Sequence, residues 1–137
     1  MSCPLCEGPG GVVLIECADY RIIRAEEPDY PGFLRVIWRA HVAEMSDLPA
    51  AEQASLMHAV WAAERALRGV FAPDKINLAS FGNVVSHLHW HVIARKKTDR
   101  HFPQPVWAAP VRAADDIWPQ VDDETLRHAL SRALAAR

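Results

Sequence analysis

The sequence has 137 residues, half of them hydrophobic, with a formal charge of −2 and a pI near 6.4. That length suits one domain, and the apolar content supports a core that needs neither disulfides nor metals to hold together. The charge balance excludes electrostatic capture of long nucleic acid while leaving room for a small anion, and no apolar run approaches the ~20 residues of a membrane span.

The chain opens with Cys3-Pro4-Leu5-Cys6, a spacing suited to a metal knuckle or a redox pair in a reducing compartment. Three cysteines are an odd number for a secreted disulfide scaffold. Met1-Ser2-Cys3-Pro4 lacks the basic start and apolar stretch of a leader, so a cytoplasmic location is expected. Residues 7–11 read as a turn. Residues 11–15 and 20–24 read as two short strands, and residues 33–38 as a third after a loop broken by Pro28 and Pro31. A long helix is predicted from just after Met45, with Ser46 or Asp47 as N-cap. Leu56, Val60, Ala63, Leu67 and Val70 form its apolar stripe up to Phe71, and Pro73 closes it. Residues 76–81 and 88–94 are read as two further strands, joined through Gly82-Asn83. From His101 to Pro119 four prolines and no periodicity predict an extended arm, and a short helix over about 122–136 ends the chain. The whole, 1–137, is expected to be one α+β domain. About five antiparallel strands carry the long helix on one face, and residues 101–137 form the arm and the terminal helix.

Chemistry concentrates in His87-Leu88-His89-Trp90-His91. On a strand, alternation sends the three histidines to one face and Leu88, Trp90 and Val92 to the other, with successive imidazoles about 6.5 Å apart. Such a face is a histidine-rich polar surface, a metal site, or a site where neutral imidazole attacks phosphorus or a carbonyl carbon. Imidazole suits the last role because much of it is unprotonated near neutral pH.

The surrounding residues distinguish these readings. Asn77, Gly82-Asn83, Val85 and His87-x-His89-x-His91 with apolar x together resemble the signature of the histidine-triad (HIT) family. The resemblance extends over the preceding Pro31-Gly32 strand and the long helix. It implies a nucleotidyl hydrolase or transferase working on an α-phosphorus. His89 would be the nucleophile, His91 would hold phosphate oxygens, and His87 would orient the strand or take a metal. Asn77 and Asn83 would position His89 and the leaving group, and Gly82 and Val84 would lie against the substrate. The implied substrates are dinucleoside polyphosphates or nucleoside phosphoramidates of adenine or guanine, and the implied assembly is a homodimer. Some members bind zinc through an N-terminal CxxC, a histidine after the third strand and the first triad histidine. Here those would be Cys3, Cys6, His41 and His87, giving one structural zinc.

The chain departs from the family pattern in three places. Phe33 stands where many members have a fourth histidine, Val84 replaces a small hydroxyl donor, and Ala25, beside Glu26, stands where an acid or amide often holds the ribose. Tyr30 and Phe33 are the candidate base contacts. Trp38, Trp61 and Trp90 are assigned to the core, and Arg95, Lys96, Lys97 and Arg100 to a solvated charge run. His58 and His128 are assigned to the surface, and His101, Gln104 and Trp107 to an arm that folds back towards the site. Two rival functions remain at this point. One is a metal-dependent hydrolase with His87, His89 and His91 as ligands, and the other is a nucleotide-binding module without catalysis.

Overall fold

The computed structural model describes residues 2–136. After a single helical turn, α1 (Pro4–Glu7), three strands follow: β1 (Val12–Glu16), β2 (Tyr20–Arg24) and β3 (Phe33–Trp38). Helix α2 (Ala50–Phe71) leads to β4 (Lys75–Ala79) and β5 (His89–Arg95), and α3 (Asp123–Ala135) ends the fold. The sheet is antiparallel throughout, in the order β1-β2-β3-β5-β4. The expected α+β arrangement is the observed one.

Period-two alternation divides the sheet. Ile22, Leu34, Val36, Trp38, Val92 and Ala94 point to one side and bury against Leu56, Val60, Ala63 and Leu67 of α2. The opposite face carries Phe33, Arg35 and Ile37 of β3 directly across from Ile93, His91 and His89 of β5. This face has only small apolar clusters, Leu5 with Ile23 and Ile37, and Tyr30 with Phe33 and Ile93, so polar groups can gather on it.

The long helix begins later than expected. Met45–Asp47 form a separate 3-10 turn, in which the Asp47 carboxylate accepts from the Glu44 amide at 3.0 Å, and Pro49 starts α2. Proline at a helix start loses nothing, because the first amides have no intrahelical acceptor. The helix ends at Ala72 in the left-handed region, with Pro73 beyond it. Trp61, assigned to the core, is half exposed on α2. His58, assigned to the surface, is half-buried and tied through Nε2 to the Leu134 carbonyl at 3.0 Å. Asp122 caps α3 by accepting from the Thr125 amide at 2.8 Å.

The N-terminal segment closes over the open face of the sheet, whereas α3 packs with α2 on the other. Arg21 of β2 donates to the carbonyls of Leu5, Gly8 and Pro9 at 2.7–2.9 Å, which staples residues 5–9 to the sheet. Gly32 approaches so closely that a Cβ there would meet Ala94 at 2.9 Å and Phe71 at 3.2 Å, so the Pro-Gly turn before β3 needs glycine for space.

Candidate active site

The strand holding the histidines is shorter than the alternation implied. β5 starts at His89, and His87 lies in the bend before it. His87 Nε2 donates to the Trp38 carbonyl at 2.6 Å, which leaves Nδ1 unprotonated. That nitrogen lies 3.5 Å from Cys3 Sγ, 3.4 Å from Cys6 Sγ and 3.2 Å from His41 Nδ1. All four donor atoms fall within 4.8 Å of one another. Ligands around a tetrahedral zinc at about 2.0–2.3 Å lie roughly 3.3–3.8 Å apart. Two thiols and two imidazoles, one oriented by a carbonyl behind it, fit a closed structural zinc site. The arrangement contradicts a metal held jointly by His87, His89 and His91, because the His87 ring is turned into the cysteine cluster.

His89 and His91 stand side by side in a cavity of about 580 Å³, with ring centroids 4.9 Å apart. His89 Nδ1 donates to the His87 carbonyl at 2.7 Å, so Nε2 carries the lone pair. One residue thus serves both centres, with its side chain in the cysteine cluster and its carbonyl on the neighbouring imidazole. His91 is enclosed by Phe33, Phe81 and Trp107, whose rings lie 4.9–6.2 Å from it. Burial, then the neighbouring His89 and Arg35, push its pKa down to about 4, so its ring is neutral at physiological pH.

The loop between β4 and β5 supplies the cavity's outer wall. Gly82 sits at φ +69°, a left-handed conformation that glycine adopts without strain. This turn presents Phe81, Asn83, Val84 and Val85 to the cavity, with Val84 almost fully exposed. Leu5 and Trp107 close the other sides.

Several other residues lie elsewhere than the sequence suggested. Asn77 Oδ1 accepts from Arg95 Nη1 at 2.8 Å, so its carboxamide faces Arg95 rather than His89. Tyr30 is buried, its hydroxyl donating to Asp99 at 3.1 Å and lying 2.6 Å from His101 Nδ1. It does not line the cavity. Phe33 is buried beneath His91 instead of facing a ligand, and Glu26 borders a separate cavity with Gly10, Gly11 and Glu27. Of the three arm residues, Trp107 reaches the histidines, whereas the buried His101 ring and the backbone carbonyl of exposed Gln104 belong to a latch around Arg95 and Asp99.

That latch is the second departure, because Arg95 is not solvated. Its guanidinium is almost completely buried and binds both Asp99 carboxylate oxygens at 2.7 and 3.0 Å and the Gln104 carbonyl at 2.8 Å. Asp99 also accepts from the amides of Lys96, His101 and Phe102. Burial alone would raise its pKa, but the Arg95 hydrogen bond and these amides outweigh that and bring it down to about 2. The latch fixes the arm at the end of β5 and so sets where Trp107 lies.

The family model of the HIT domain matches residues 10–98. The chain belongs to the HIT family. Its fold resembles that of a histidine triad protein from Bradyrhizobium japonicum, at TM-score 0.74 and 29% identity over 92% of each chain. A histidine triad protein from Sinorhizobium meliloti aligns over 90% of each chain at TM-score 0.72 and 25% identity. A zinc-bound histidine triad family protein from Mycobacterium smegmatis shares the fold at TM-score 0.64 and 24% identity, over 98% of this chain and 94% of that one. No curated protein matches the chain. HIT membership makes this a member of a nucleotide-binding, hydrolase and transferase family.

Sequence reasoning missed Arg35 and Phe81 as members of the site. A signal for Arg35 was present, since it interrupts the apolar strand Phe33-Leu34-Arg35-Val36-Ile37-Trp38 on the face that alternation shares with the histidines.

Proposed function

We propose that the protein transfers a nucleotidyl group through a covalent bond to His89, acting on a dinucleoside polyphosphate or a nucleoside phosphoramidate. The observation that carries this reading is the His89 Nδ1 bond to the His87 carbonyl, which fixes the ring of a cavity-lining histidine and leaves Nε2 as its nucleophilic nitrogen. In the first step Nε2 bonds to the α-phosphorus, and the leaving group takes the electron pair of its bond to phosphorus, as a phosphate oxygen or as an amine nitrogen that accepts a proton from solvent. In the second, water or another acceptor attacks phosphorus and gives up its proton to solvent, while the P–N bond breaks and its electron pair returns to His89 Nε2. His91 Nδ1 is buried without a partner, so Nε2 is the nitrogen left to meet a phosphoryl oxygen. Asn83 and the Gly82 turn border the leaving-group side. Catalysis of this kind rests on positioning and on neutralising the equatorial oxygens.

Zinc on Cys3, Cys6, His41 and His87 would have a structural task, fixing the bend whose carbonyl orients His89. The Zn-bound mycobacterial relative supports this assignment. No step of the transfer passes through the metal.

The test is incubation with an α-labelled nucleotide substrate. Acid-labile label on the wild-type protein and none on His89→Ala is the expected result. Turnover that survives His89→Asn would overturn the covalent reading. Phe33 in place of a fourth histidine favours one second reading, a nucleotide-binding module, for which the mark is binding with neither label nor turnover.

A further inference from the structure

Among the described residues, Arg35 is the one lysine or arginine lining the histidine cavity. Antiparallel register sets it directly opposite His91, on the same sheet face. It also borders the adjoining cavity of Gly10, Gly11, Glu26 and Glu27, so its side chain stands between the two. A half-buried guanidinium has five N–H donors to satisfy and ordinarily finds a carboxylate or several carbonyls. Arg35 has one bond of this kind, a long 3.4 Å contact from Nη1 to the Gly10 carbonyl. No salt bridge among the described residues includes it. Its own surroundings oppose the charge, since burial lowers its pKa and Glu27 offsets this only in part.

The guanidinium is nevertheless held in place. Its Cζ lies 5.1 Å from the centre of the Phe33 ring, and the same ring meets His91 edge-on at 5.8 Å. Phe33 therefore acts as a platform under both the cation and the second histidine. A permanently charged, under-bonded donor beside a neutral imidazole calls for an anion between them.

We propose that Arg35 binds the phosphoryl group of the substrate, its guanidinium supplying positive charge to the same oxygens that His91 hydrogen-bonds. The pocket then takes a phosphate-bearing nucleotide in preference to the corresponding nucleoside. This rests on the reading above only in placing the phosphate at His89 and His91. It assigns the charge-neutralising role to β3 and explains a use for Phe33 other than as a lost histidine.

Calorimetric titration of the full chain with AMP, GMP, adenosine and guanosine tests it. Arg35→Leu is expected to weaken AMP or GMP binding roughly 10- to 100-fold, the range of one charge-assisted hydrogen bond. Nucleoside binding should change less than about twofold, Arg35→Lys should recover part of the nucleotide affinity, and nucleotide binding should lose much of its salt dependence. Arg35→Gln serves if the leucine variant melts early. Unchanged nucleotide affinity in a folded variant, an equal loss for nucleoside and nucleotide, or a wild type that shows no nucleotide preference would each overturn the proposal. The His89 label is scored on the same preparations. An Arg35-dependent preference without label defeats the covalent mechanism alone, and label with an Arg35-independent preference defeats this proposal alone.

Discussion

His91 is the residue whose behaviour depends most on its neighbours. Three aromatic rings remove water from its imidazole, and a cation across the strand adds to the penalty for a second charge. Its folded pKa of about 4 lies below the ordinary 6.5. Between those values the unfolded chain takes up a proton that the native ring refuses. The native state therefore loses this part of its stability as the pH falls from about 6.5 towards 4, and keeps it above that range. Histidine NMR titration should find His91 neutral at pH 5.5. Trp107→Ala, which opens one side of the ring to water, should move its midpoint upward towards 6.5, and an unmoved midpoint would mean that Trp107 does not shield it. Neither the enclosure nor the role of Arg35 could be read from alternation alone. Period two assigns a residue to a face, whereas Trp107 comes from 16 positions beyond His91 by way of a folded arm.

Elements meet at the end of β5, where the buried Arg95–Asp99 pair anchors the arm. The spacing of four residues resembles a helical surface pair, yet here it closes a tight turn out of water. Breaking such a pair costs about 3–5 kcal/mol, because the remaining charge stays buried. Asp99→Asn is expected to destabilise by that order in urea unfolding at pH 7. In the wild type, the depressed Asp99 pKa contributes about 2 kcal/mol above pH 4, lost as the pH falls towards 2, and the variant should lack this acid limb. A parallel pH dependence in the two proteins would remove Asp99 as its source. Strand positions, sheet order and the α2 stripe followed from periodicity, because each is fixed by burial on one side. The start of α2, the bend at His87 and the burial of Arg95 did not, because each is set by a partner distant in sequence: Pro49 after a separate turn, the stapled N-terminus, and the returning arm.

At the scale of the molecule, the cysteine cluster joins residue 3 to residue 87 and so ties the N-terminus to the head of β5. Metal analysis should find one zinc per wild-type chain and less in the Cys3→Ser/Cys6→Ser double variant; equal content in both would remove the site. Chelation should lower the melting temperature of the wild type and leave the double variant unmoved. None of the helices among the described residues is long and apolar enough to cross a membrane. We propose a homodimer formed along the exposed side of α2, which carries half-exposed Trp61, and along the β4 edge of the sheet. Sedimentation should then report twice 15.3 kDa, falling to the single value in Trp61→Glu.

The span that the HIT family model matches, residues 10–98, contains Arg35, His89, His91 and the Gly82 turn, but neither Leu5 nor Trp107. Two walls of the cavity are thus built from segments outside that span, folded back over the paired histidines. A chain cut to residues 10–98 would keep His89, His91 and Arg35 but lose Leu5 and Trp107 from the cavity, Cys3 and Cys6 from the cluster behind His87, and Asp99 from buried Arg95. The solved relatives align over 90–98% of this chain and so take in the arm, which makes Trp107 a position where differences between HIT members would alter what the cavity admits. Exchanging the arm alone between relatives is then a way to move selectivity while Cys3 and Cys6 stay in place behind His87.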